Sequence, residues 1–310
     1  MSSQSKTAQQ PVSGKNADKV FKGVAYACGI LILVVLAAVA LFLLFRAWPL
    51  IGGDQQANSD TISNFTGGKA SSFWGYVGPL LFGPVLISAL ALLISFFVSV
   101  GIALFISHYA PKKLATVLSY VVDLLAAIPS VIYGLLGILI LNPLMYKMEL
   151  AVFKGSSTHQ YTGGANLISA VLVLALMILP TVINISESAL RAVPGHLKSA
   201  SLALGATKIQ TIFQVILPAA KSGIITAVVL GTGRAIGEAM AITLVSGSSV
   251  NFPLPFNSVR FLTTAIVAEM GYASGLHREV LFTIGLVLFA FIMIINIGLN
   301  SILKKGEKTK

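Results

Sequence analysis

Along this 310-residue chain the polar and charged positions do not alternate with apolar ones at a short period; they collect between long apolar runs. Residues 24–45, 78–107, 164–186 and 280–303 carry no charge. Residues 114–146 carry only Asp123, and residues 222–246 only Arg234 and Glu238. A helix of about 20 apolar residues crosses about 30 Å of hydrocarbon, so the pattern predicts six transmembrane helices at these positions. The run 78–107 is long enough to tilt or to begin outside the bilayer. The run 24–45 exceeds a secretory h-region and meets no small-residue cleavage site before Arg46, which predicts a retained helix. Ahead of it, residues 1–23 are rich in Ser, Gln and Lys and predict a disordered tail. Residues 304–310 predict a short basic one.

Composition narrows the class. Hydrophobic residues make up 56% and charged residues 10%, where soluble domains run about 25% charged, so a soluble globular protein is excluded. The net charge of +11 invites a nucleic-acid partner. The basic residues instead stand at the edges of apolar runs, unclustered with aromatics, which argues against nucleic acid. Cys28 is the single cysteine and lies inside an apolar run, so no disulfide framework or paired-cysteine metal site exists. His108, His159, His196 and His277 lie on different loops without ligand spacing and read as surface residues. No metal site, catalytic triad or paired-carboxylate arrangement is legible, so the chain is not expected to be an enzyme by itself.

Orientation follows from where Lys and Arg fall. With the N-terminus placed inside, fourteen lie inside (Lys6, Lys15, Lys19, Lys22, Lys112, Lys113, Arg191, Lys198, Lys208, Lys221, Lys304, Lys305, Lys308, Lys310). Six lie outside, at Arg46, Lys69, Lys147, Lys154, Arg260 and Arg278. Both termini are therefore expected in the cytoplasm. The outside stretches 51–74 and 247–279 are long, and the prolines of Asn251-Phe252-Pro253-Leu254-Pro255-Phe256 forbid regular helix there.

The inside loop 187–221 is too long for a simple connector. Pro194 suits the first turn of a helix. Leu197, Ala200, Ala203 and Leu204 form a helical stripe, and Gly205 is placed as a cap and turn. Thr207 caps a second short helix with Ile209, Ile212 and Phe213 on one side, ended by Leu217-Pro218. The pattern predicts two amphipathic helices joined at a glycine, either resting on lipid headgroups or docking a cytoplasmic partner. Ala200-Ser201, Gly205 and Val215-Ile216-Leu217-Pro218 resemble the "EAA…G…I-x-L-P" loop of ABC importer permeases. The resemblance implies a coupling loop seated in an ATPase subunit, carried by Ala200, Ser201, Gly205, Ala206, Leu217 and Pro218. The family glutamate falls on Ser199. The chain itself contains no GxxxxGK[ST], so no nucleotide cofactor is expected in it, and ATP and Mg are expected in a partner.

Charged residues inside a span are costly and mark function by default. Arg234 and Glu238 are four apart, so on a continuous helix they share a face and can pair. Gly233, Gly237 and Ala241 form an adjacent small-residue stripe that admits a neighbouring helix. An internal ion pair that only fixes packing is the plain reading. The alternative is a pathway in which Arg234 offers its planar fork of donors to a passing oxyanion, steadied by Glu238.

The run Gly233-Arg234-Ala235-Ile236-Gly237-Glu238-Ala239-Met240-Ala241 is similar to the fifth-span motif of permease subunits of phosphate ABC importers. Residues 190–194, 200–207 and 126–134 are similar to the same family, and the resemblance covers roughly residues 75–303. It implies a type I ABC importer permease fold in the bacterial inner membrane, all-α with cytoplasmic coupling helices. It also implies a sister permease, two ATPase subunits and an extracytoplasmic phosphate-binding protein as partners, and Arg234 and Glu238 in the substrate pathway.

Asp123 is expected near the cytoplasmic interface, snorkelling or capped by Lys112 or Lys113. Pro129 is expected as a packing kink, or as a helix break lining the pathway. Thr181 and Asn184 are expected to line the pathway or to bond a neighbouring helix. Rival functions are a permease for sulfate or molybdate, the sister phosphate subunit, a secondary anion transporter or channel, and a structural scaffold. Six spans without an evident inverted repeat, together with the long inside loop, weigh against the secondary transporter.

Overall fold

The computed structural model describes residues 14–52, 55–66, 68, 70–156 and 159–308. Among these the regular structure is all helical, with a lone bridge between Gly247 and Val259 in place of any strand. The helices are α1 (Gly14–Gly52), α2 (Gln55–Thr66), α3 (Phe73–Leu104), α4 (Lys112–Ala127), α5 (Ser130–Leu136), α6 (Asn142–Val152) and α7 (Leu167–Arg191). Then follow α8 (Gly195–Ala203), α9 (Lys208–Thr211), α10 (Leu217–Ala219), α11 (Lys221–Gly237), α12 (Met240–Val245), α13 (Leu262–Glu269) and α14 (Gly275–Lys308). Wider π turns extend α3 over Phe105–Tyr109, join α5 to α6 over Gly137–Leu141, and join α9 to α10 over Ile212–Ile216.

Five of these stretches are long and apolar enough to cross a membrane: Asp18–Leu50, Phe73–Tyr109, Ser130–Val152, Leu167–Arg191 and Gly275–Ser301. A sixth is formed if Lys208–Ala219 and Lys221–Gly237, bent by 64°, count as one span. Two expected spans are broken. The third, 114–146, divides at Ile128–Pro129 into α4 and α5. A residue before proline is pushed out of helical geometry, and Ile128 has ψ 127°. The fifth, 222–246, stops at Gly237, with Glu238 extended at ψ 130° before α12 begins. The tail expected to be disordered over 1–23 is helical from Gly14, and its residues 1–13 lie outside the described residues. The tail expected over 304–310 continues α14 as far as Lys308. The stretch after α1 holds a helix, α2, that its polar composition concealed.

Three apolar clusters fill the interior along its length. One, at the end where α2 and α13 lie, gathers Leu50, Ile62, Tyr76, Leu80, Leu262 and Ile284 from α1, α2, α3, α13 and α14. A middle cluster joins α3, α5, α7, α11 and α12 through Ile87, Tyr133, Leu174, Ala227 and Ile242. The third packs Ile106, Val122, Ile183, Leu190, Ile212 and Ile216 where α7 meets the loop that follows it. Span α7 is the most enclosed, with 61% of its most apolar stretch buried; α1 is the least, with none. Residues 18–39 of α1 are exposed. Ala40, Leu43, Arg46, Ala47 and Leu50 turn inward toward α14. There Phe42 meets Phe282 edge-on at 5.5 Å and Arg46 bonds Glu279 at 3.0 Å.

Candidate functional site

Helix α11 is fixed by a different small-residue stripe from the one expected. Gly223, Ala227 and Gly231 face α7, and a Cβ on Gly231 would lie 3.0 Å from Val182 and 3.1 Å from Ile178. Gly233 and Gly237, by contrast, have nothing within 4 Å of where a Cβ would stand. They border open space on the face that carries Arg234.

Arg234 is half-buried, and its Nη1 donates to Thr181 Oγ1 on α7 at 3.0 Å. The expected pairing with Glu238 does not form. Because α11 ends at Gly237, the i,i+4 geometry is lost, and Glu238 Oε1 instead accepts from the Ala241 N–H at 3.0 Å. Unpaired amides of a helix's first turn favour such a carboxylate. The Glu238 carbonyl accepts from Thr263 Oγ1 at 3.1 Å. Both residues therefore stand at a helix break inside the apolar body, contacting different elements.

The two breaks support one another. Helices α5 and α12, which follow them, pack so closely that a Cβ on Gly134 would lie 3.0 Å from the Ala241 Cα. Across the first break Tyr133 donates its hydroxyl to the Leu125 carbonyl at 2.8 Å, an acceptor it shares with the Ile128 N–H at 3.3 Å. Pro129 is thus a helix break, beyond a kink. Asp123 meets neither Lys112 nor Lys113; it accepts from Asn184 Nδ2 at 2.8 Å. No sequence signal pairs Thr181 with Arg234, 53 residues away, or Asn184 with Asp123.

The loop after α7 has the expected two limbs. Gly205 turns between them at φ +87°, a conformation open to glycine. Thr207 caps α9 in a reciprocal box with Gln210: the Gln210 N–H donates to Thr207 Oγ1 at 3.3 Å and the Thr207 N–H to Gln210 Oε1 at 2.8 Å. Ser201 and Thr211 hydroxyls bond across the elbow at 3.0 Å. Ile212 and Ile216 bury into the body. Ala200, Ala203, Leu204, Ile209 and Phe213 remain exposed, Leu204 at 89%. Of the other loop residues singled out, Ser201, Ala206 and Leu217 are half-buried, and Gly205 and Pro218 are exposed. Leu217-Pro218 does not end the second limb but opens α10, one residue short of the bend into α11. Ser199 donates to its own helix, to the Gly195 carbonyl at 3.2 Å.

Two histidines expected at the surface are drawn inward by carboxylates. Buried Glu149 holds His159 Nε2 at 2.8 Å and both the N–H and the hydroxyl of Thr162, with the His159 ring stacked on Phe153 at 3.7 Å. Glu269 bonds Arg260 and, at 2.8 Å, His277. Burial works against the Arg260 charge, but Tyr76 and Glu269 outweigh it and hold the guanidinium above its ordinary value. Among the described residues no group of three or more metal-ligating side chains occurs.

A bundle of apolar spans with two interior helix breaks, an arginine beside open space and an elbowed apolar loop at one end defines an integral membrane permease. The chain belongs to the family described as binding-protein-dependent transport system inner membrane component, which matches residues 98–306. It is therefore a multi-pass protein of the inner membrane. It is 35% identical over 278 residues to a Bacillus subtilis protein named "Probable ABC transporter permease protein YqgH", covering 87% of this chain and 86% of that one. It is 31% identical to the phosphate transport system permease protein PstC of Haemophilus influenzae, covering 94% of this chain and 95% of the relative. Identity to PstC 2 of Mycobacterium tuberculosis is 32%, over 93% and 92%. Its fold is that of a bacterial alginate ABC transporter chain (TM-score 0.64, 15% identity, 94% of this chain and 96% of that one). An inward-facing MetNI methionine ABC transporter chain shares it as well (TM-score 0.56, 18% identity, 74% and 96%).

Proposed function

We propose that this chain is a permease subunit of an ATP-driven inorganic phosphate importer, with both termini in the cytoplasm and Arg234 and Glu238 at the substrate pathway. The reading is carried by one observation: Arg234 is held by neutral Thr181 beside the open flank of Gly233 and Gly237. An arginine whose charge is not consumed by a carboxylate keeps its fork of donors for an oxyanion. Glu238 contributes by fixing the break that ends α11 next to that arginine. The phosphate relatives, matched over nearly the whole chain, support phosphate as the cargo.

The exposed apolar row from Ala200 to Phe213, braced by the Ser201–Thr211 bond, is the surface offered to an ATPase partner. ATP and Mg bind in that partner, and this subunit performs no hydrolysis itself. The complex comprises a PstA-like sister permease, two PstB-like ATPase subunits and a PstS-like phosphate-binding protein. In the cycle that follows, closure of the ATPase pair pushes the elbow, α7 and α11 move with it, and the arginine changes the side to which it is open.

Labelled-phosphate uptake in cells lacking their own importer tests this reading, comparing wild type with Arg234→Gln at matched membrane levels. Uptake that resists excess sulfate and molybdate and vanishes in the variant is the expected outcome. Normal transport by Arg234→Gln refutes the pathway assignment, and wild-type uptake of sulfate or molybdate refutes the cargo.

A further inference from the structure

The polar groups near Arg234 continue along α7 toward the coupling loop. Thr181, which accepts from Arg234, is followed three residues later by Asn184, which donates to Asp123. That spacing is about 4.5 Å of rise on one helix face. Asp123 lies in α4, eleven residues beyond Lys112, or about 16 Å along the helix. Its neighbours Leu124 and Leu125 are exposed apolar side chains. One turn earlier on α4, Ser119 donates to Glu187 at 3.3 Å, and Arg191 donates to the same oxygen at 2.8 Å. Helices α4 and α7 are therefore tied at two levels. The lower carboxylate has an arginine beside it, whereas the upper one bonds a neutral amide.

We propose that Asp123, held by Asn184, is the inner gate of the anion path. The inference rests on reading Arg234 as the substrate contact. Asp123 is exposed, with its charge on the open side of α4, and a negative group just inward of Arg234 opposes the descent of an anion. The tie holds α4 to α7 at the same level. Opening requires the Asp123–Asn184 bond to part. Helix α7 runs without interruption to Arg191, only four residues before α8 begins, so motion of the coupling loop reaches the bond through a single rigid element. Asp123 acts by charge and position on the cargo; it takes part in no bond-making step.

The test uses the whole importer in liposomes loaded with labelled phosphate, with efflux followed in the absence of ATP. Asp123→Asn removes the charge and leaves a hydrogen-bonding amide. It is expected to raise passive efflux by roughly threefold or more, as removal of a like charge from an anion path does. Asp123→Glu is expected to keep the path tight. If Asp123→Asn does not assemble, Asp123→Ser removes the same charge with a smaller polar side chain and carries the same expectation. Efflux at the wild-type level from an assembled variant, while Arg234→Gln abolishes ATP-driven uptake, overturns the gate and leaves the pathway reading standing. Normal uptake by Arg234→Gln instead removes the reading on which the gate depends.

Discussion

The Glu238 carboxylate caps the start of α12, so its substitutions separate shape from charge. Glu238→Gln keeps an oxygen that accepts from the Ala241 N–H. Glu238→Ala loses it and is expected to cost about 1 kcal/mol, the usual size of a lost cap. In thermal unfolding of the purified subunit that appears as a fall of roughly 2–4 °C for alanine and much less for glutamine. Equal losses would mean that the charge matters through some contact other than the cap. Arg234 stood out in the sequence because a guanidinium in an apolar run has no cheap explanation. Its partner was not. Glu238 stands at the spacing of a helical pair, while Thr181 is one hydroxyl among many in an apolar span and carries no pattern of its own.

Among the elements, the loop after α7 was legible in its glycine turn and its Thr207 cap, because these obey local chemistry, but not at Leu217-Pro218. Gly205 turns at positive φ with nothing within 4 Å of where a Cβ would stand, so a side chain there meets strain without a clash. Gly205→Ala is expected to cost about 1–2 kcal/mol, and Gly205→Asn less, since asparagine visits this conformation. ATPase activity stimulated by the binding protein should fall with alanine and recover in part with asparagine. Identical behaviour of the two would assign the glycine to partner contact instead of backbone shape. The helix breaks divide the same way. Pro129 announces the first, whereas the second combines a local cap from Glu238 to Ala241 with a bond from Thr263, in another element, that no local rule contains.

For the molecule as a whole, the count of apolar runs gave a sound estimate of the spans, because bilayer thickness sets their length. How the spans pack was hidden, since lipid-facing and protein-facing positions are equally apolar. The two glycine stripes of α11 make the point. Gly231 lies against Val182 and Ile178, so Gly231→Leu overfills that contact and is expected to destabilise by about 1–3 kcal/mol. Gly233 borders open space, so Gly233→Leu should leave the isolated subunit folded and reduce phosphate uptake. Melting temperature and transport, measured on both variants, check this. A loss of stability in Gly233→Leu alone, with Gly231→Leu unaffected, would invert the assignment of the two faces.

Helix α1 is fastened to the body only over its last third, where Arg46 reaches Glu279 and Phe42 meets Phe282. Mechanically it is a cantilever. Residues 18–39, exposed on every side, make an arm about 33 Å long at the usual rise, as long as the hydrocarbon is thick. Bending stiffness comes from the arm's own backbone bonds, but its bearing in the membrane plane is set at the fulcrum and by whatever surrounds it. A small rotation at Arg46 is therefore magnified into a wide sweep at the far end of this arm.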